Sequence, residues 1–112
     1  MNTSALQSKY PRLADCIAML AEAIDGLDVV SPAQVQDWLQ INQVDAMALL
    51  NIFTDDKFIT PRYEMFCPDG PLLATASRMN DLSFHVPCPK HTSHDALTCR
   101  FNLLFDVLPV EN

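Results

Sequence analysis

The hydrophobic positions of this chain follow a helical period in the first half and an extended, strand-like pattern in the second. After Pro11, apolar residues recur every three or four positions, with charged residues on the opposite side. This spacing predicts an amphipathic helix of roughly four turns that ends at Gly26. The apolar face of this helix consists of Leu13, Cys16, Ile17, Leu20 and Ile24.

A second, shorter helix is predicted by its starting residues. Ser31 and Gln34 stand three positions apart, which is the spacing of a capping box, in which each side chain accepts a hydrogen bond from the backbone of the other. We therefore expect a helix over about residues 32–40. Its apolar face consists of Val35, Trp38 and Leu39.

A third helix is predicted to follow after a connection of only a few residues. Asn42 is a favourable N-terminal capping residue, and Asp45 would lie near the positive end of the helix dipole. We place this helix at about residues 43–54. Its inner stripe consists of Ala46, Leu49, Leu50 and Phe53.

The remaining sequence has the pattern of antiparallel strands. Residues 62–67 and 72–76 flank a turn rich in proline and glycine, which predicts a hairpin. A further strand is expected over residues 82–86, and residues 97–108 form a mostly extended closing segment. We therefore expect an α+β fold, with three helices followed by antiparallel β-hairpins.

Length and composition are those of a small globular protein. The 112 residues are 49% hydrophobic, enough for one compact domain with a helical unit at residues 1–62 and a β unit at residues 63–112. No run reaches the ~20 apolar residues that span a bilayer, and the N-terminal segment lacks the pattern of a signal sequence. We expect a cytoplasmic protein without membrane contact.

The net charge argues against nucleic acid as a partner. The formal charge is −7, from 7 basic and 14 acidic residues. Nucleic-acid binding draws most of its non-specific affinity from Lys and Arg that neutralise phosphates. Near the predicted hairpin only three scattered cations are available, and we expect them to be solvated: Lys57, Arg62 and Arg78.

Two Cys-Pro motifs in the second half, each after an apolar run, suggest a shared architecture. Cys67 and Cys88 are 21 residues apart, and a disulfide between them is disfavoured in a reducing cytosol. Paired turns of this kind resemble the knuckles of a zinc ribbon, a resemblance that covers about residues 63–105. A structural zinc site is closed, so this resemblance leads away from catalysis.

The zinc-ribbon resemblance implies a structural Zn²⁺ ion. Its candidate ligands are Cys67, Cys88, His91 and His94, with Cys99 as an alternative fourth ligand and Asp69 as a further one. The sequence departs from the family at Gly70, which stands where the first turn would carry its second ligand. The alternative is a metal-free ribbon whose hairpins are held together by an apolar core.

Three helices followed by a hairpin resemble a winged helix-turn-helix domain over about residues 11–76. In this resemblance, residues 31–40 and 42–54 form the helix-turn-helix pair, and residues 62–76 form the wing. The family usually inserts its third helix into the major groove of DNA and reads bases with Arg, Lys, Asn or Gln.

The predicted third helix has few residues suited to DNA. It contains no Lys or Arg, and only Gln43 and Asn51 could bond a base, whereas Asp45 would repel phosphates. An exposed apolar patch bordered by acids suits a protein partner better. The residues of this predicted partner-binding face are Val44, Met47, Ala48, Asn51 and Asp55.

These observations favour a small protein-interaction module, an adaptor or regulatory subunit that binds another protein or itself. The alternatives are a dimeric winged-helix DNA-binding regulator and an acidic mimic of DNA. An enzyme is disfavoured: Ser93, His94 and Asp95 are consecutive, so their side chains point apart and form no catalytic triad. A simpler alternative for the helix face is that Val44 and Met47 pack beneath the N-terminal segment.

Overall fold

The computed structural model of the chain describes residues 1–68, 70–82, 85–86, 94–95 and 99–109. It has the α+β fold that the hydrophobic pattern predicts, with N-terminal helices followed by a four-stranded antiparallel sheet.

All the α-helices among the described residues precede the long strands. They are α1 (Ser4–Lys9), α2 (Ala14–Ile24), α3 (Pro32–Leu39) and α4 (Gln43–Asp55). The three predicted helices correspond to α2, α3 and α4, although α2 is shorter than predicted because Pro11–Leu13 forms a 3-10 turn. The sequence pattern did not predict α1, whose single buried apolar residue is Leu6.

Local capping interactions fix where α3 and α4 begin, as predicted. The backbone N–H of Gln34 donates to Ser31 Oγ at 3.2 Å, and the backbone N–H of Ser31 donates to Gln34 Oε1 at 2.9 Å. The backbone N–H of Asp45 donates to Asn42 Oδ1 at 2.8 Å. Each cap satisfies an N–H group that has no partner inside its helix and is worth about 1 kcal/mol.

The sequence explains where α2 ends better than where α3 ends. Gly26 follows α2 with a φ of 81°, the left-handed conformation that glycine adopts without strain and that was predicted to end this helix. α3 ends at Gln40, which adopts the same left-handed region at φ 55°. A residue with a side chain is less favourable than glycine in that region. Because position 40 carries no glycine, the sequence does not indicate this turn.

The described residues contain six strands, which form two antiparallel sheets. In chain order they are β1 (Val29–Val30), β2 (Ile59–Phe66), β3 (Leu72–Ala76), β4 (His85–Val86), β5 (His94–Asp95) and β6 (Arg100–Val107). The four-stranded sheet has the order β1-β6-β2-β3, and β4 pairs with β5 alone. The predicted hairpin is β2 and β3, with an irregular register between Met65 and Phe66.

The chain divides into two compact units, Met1–Thr60 with Phe105–Asn112 and Pro61–Leu104. The first, the helical unit, is built around the buried faces of its helices. The predicted stripe of α4 is confirmed, since all four of its residues are at most 2% exposed. Its core also includes Ile17, Leu20, Ile24, Val35, Ile59 and Phe105.

Two apolar-face predictions are only partly correct. On the predicted first helix, Leu13 of the 3-10 turn and Cys16 of α2 are half-buried rather than buried. On α3, Val35 is fully buried, but Trp38 is 36% exposed. Among the described helices, none has the length and apolar composition needed to cross a membrane.

Candidate functional site

The outward side of α4 carries a row of exposed side chains. Val44 is 77% exposed, and Ala48, Asn51 and Asp55 are also exposed, whereas Met47 is half-buried. The four exposed residues recur every three or four positions and therefore lie along one side of the helix. With this exposure Val44 does not pack beneath the N-terminal segment, which was the simpler alternative for this position.

The helical unit holds this face in a fixed orientation. α4 packs against α3, and its opposite side is anchored by Phe53, which is fully buried and contacts the ring of Phe58 at a centroid distance of 5.8 Å. The Asn42 cap fixes the first turn of the helix. Because α4 is buried on one side and capped at its N-terminus, its exposed side is a surface that needs little ordering when a partner binds.

The charges of this face are negative. Asp45, Asp55 and Asp56 are exposed, and α4 contains no Lys or Arg. One further polar group of the helix is already occupied, because Thr54 Oγ1 donates to the carbonyl of Leu50 at 2.8 Å. That leaves Asn51 as the exposed amide in the middle of the face, flanked by acidic ends.

Two arginines near the hairpin make contacts within their own unit. The Nε atom of Arg62 lies 4.0 Å from Glu64 Oε2. The guanidinium carbon of Arg100 lies 5.6 Å from the centre of the Phe66 ring, a cation–π contact. Both guanidinium groups therefore already have a neighbour within their own unit.

The predicted zinc ligands are only partly within the described residues. Cys67 is fully buried directly after β2, where its N–H donates to the Pro71 carbonyl at 2.9 Å and its carbonyl accepts from Gly70 N–H at 3.0 Å. Cys99 is half-buried before β6. The other candidates lie outside the described residues: Asp69, Cys88, His91 and the side chain of His94.

The strand arrangement matches the prediction around the first Cys-Pro motif only, because the pairing partner of β4, the short strand β5, was not predicted. The first motif lies between β2 and β3, and residues 87–93, which contain the second motif, connect β4 to β5. Both strand pairs are antiparallel. Within the described part of the chain no three metal-ligating side chains come together, so the zinc ion remains a prediction that rests on the motifs.

Comparison with protein-family models, with curated proteins and with solved structures finds no match for this chain. The function must therefore be argued from the chain's own residues.

The zinc prediction can be tested by native mass spectrometry on protein purified without chelator. We expect a mass excess of one zinc ion per chain, lost in Cys88→Ser together with a large drop in melting temperature, because zinc binding is coupled to folding. Cys16→Ser is the matched control, since Cys16 lies on α2 outside the motifs, and it should keep the metal. The bare chain mass for the wild-type protein would contradict the prediction.

Proposed function

We propose that this protein is a non-enzymatic interaction module, an adaptor or regulatory subunit, that binds a partner protein through the outward face of α4. The observation that supports this most is the 77% exposure of Val44 on a helix whose other side is fully buried. A single exposed valine is ordinary on a protein surface. Here it lies in line with Ala48 and beside the half-buried Met47, between acidic residues.

The face has the parts that a moderate-affinity interface needs. Burial of the Val44 side chain on binding would contribute about 1–2 kcal/mol. The amide of Asn51 offers both donors and an acceptor to the partner. Asp45 and Asp55 would lie towards the two ends of the interface, where charges influence partner choice and association rate more than affinity.

The second candidate function is a DNA-binding regulator of winged-helix type. It is favoured by the order of elements, since α2, α3 and α4 are followed by the β2–β3 hairpin as they would be by a wing. It is disfavoured by chemistry, since α4 offers a DNA backbone no cation and two carboxylates, Asp45 and Asp55. The protein-binding proposal therefore has the stronger support, with the zinc-ribbon-like half as a stiffening element.

The partner proposal is tested with Val44→Asp in a tagged protein purified from its native cells. We expect the variant to keep the wild-type melting temperature, because Val44 is exposed, and to weaken the association with the recovered protein, or with a second copy, by at least about tenfold. Ala33→Asp is the control, since it adds the same charge at an exposed position of α3. Equal association of both variants would contradict the role of α4.

The regulator alternative is tested by fluorescence anisotropy with mixed-sequence duplex DNA at low salt. The protein-binding proposal predicts no binding, because α4 has no cation to neutralise phosphates. Binding that weakens steeply as salt is added would instead support the regulator and contradict the proposal.

A further inference from the structure

A second surface of the helical unit is a groove between α2 and α3. Met19, Glu22 and Ala23 line it from α2, and Trp38 and Leu39 line it from α3. It has a volume of about 310 Å³, which is at the lower end of the range for binding pockets in proteins. We refer to these five residues as the α2–α3 groove.

The groove exposes two large side chains that are suited to binding. Met19 is 49% exposed and Trp38 is 36% exposed. Methionine adapts its shape to irregular partners, and tryptophan is enriched among the residues that dominate interface energies. The indole N–H of Trp38 makes no hydrogen bond among the described residues, so it can donate to a partner.

The surroundings of the groove are acidic. α2 and α3 contain three carboxylates and no Lys, Arg or His. Glu22 lines the groove itself, Asp15 lies seven positions earlier on the same side of α2, and Asp37 directly precedes Trp38. None of the three has an ion-pair partner within the described part of the chain. An apolar groove with unpaired carboxylates on its border complements a segment that is apolar on one side and basic on the other.

We propose that the α2–α3 groove binds a short, basic, amphipathic helix of another protein. Apolar side chains of that helix would enter between Met19 and Trp38, and its Lys or Arg residues would face Glu22 and Asp15. This is the helix-in-groove mode of recognition, in which apolar anchors recur at helical spacing. The groove is separate from the outward face of α4, so this inference goes beyond the function proposed above.

A second copy of the chain fits the groove less well. Dimer interfaces are usually symmetric, so each copy would present the same patch to the other. Glu22 and Asp15 would then approach the same residues of a chain that also carries a charge of −7. Like charges brought together at an interface cost several kcal/mol.

The chain provides its own probe for this groove, because Trp38 is its only tryptophan. The ligand used is a synthetic peptide of Leu and Lys arranged so that one helical side is apolar. Two control peptides are a scrambled one, which forms no apolar side, and one with Glu in place of Lys. We expect a saturable blue shift of Trp38 emission with the first peptide, weakened by salt, and none with the controls.

Two variants connect the signal to the groove. Glu22→Lys should weaken peptide binding by about tenfold or more, because the exposed carboxylate is replaced by a repelling cation. Asp28→Lys should bind as the wild type does, since it makes the same charge change at an exposed position outside the groove. Equal binding by Glu22→Lys, or by the scrambled peptide, would overturn the proposal. An emission shift that depends on protein concentration without peptide would show that the occupant is a second copy, and would overturn it too.

Discussion

Burial of one side of α4 is the constraint on which the rest of this structure depends. Ala46, Leu49, Leu50 and Phe53 are at most 2% exposed, and truncating a buried Leu or Phe to Ala costs about 2–5 kcal/mol. Rotating α4 to hide Val44 would expose this stripe instead, at a greater cost than the gain. The helix therefore has one energetically accessible orientation, and the composition of its outward side is what a partner would meet.

The packing of the helices leaves two surfaces of the helical unit exposed, and both have the same kind of composition. The outward face of α4 and the α2–α3 groove both combine exposed apolar side chains with carboxylates, and neither contains a basic residue. In the proposed binding, apolar contact would supply affinity, whereas the acidic border would select basic partners and reject phosphate. A module that binds two partners, or one partner at two places, requires no catalytic group on either surface.

Local interactions made the helix starts predictable from sequence. The Ser31–Gln34 box and the Asn42 cap involve residues three positions apart, so their geometry is contained in the local sequence. Positions that depend on distant contacts were harder to predict. α1 has one buried apolar residue, Leu6, which is too weak a periodic signal to detect.

Trp38 shows the same limit of sequence-based prediction at the proposed binding groove. The helical period places Trp38 beside Val35 and Leu39, but only the packing of α2 against α3 decides which of them remains exposed. The outward residues of α4 were easier to assign, because its buried stripe is long and regular. The predicted zinc ligands rest on motif spacing alone, and Gly70 stands where the first motif would carry its second ligand.

The central claim is that a partner covers the outward face of α4. Thiol accessibility at position 44 tests this claim most directly, because it compares the same surface in the purified protein and in the cell. Val44→Cys should react rapidly with a maleimide in the purified protein and slowly inside its native cells, where a partner would cover α4. Ala33→Cys, whose new thiol is exposed on α3, should react at similar rates in both settings. The wild-type protein, measured in parallel, gives the reactivity of the native cysteines as a baseline. Equal reactivity of Val44→Cys in both settings would contradict the account.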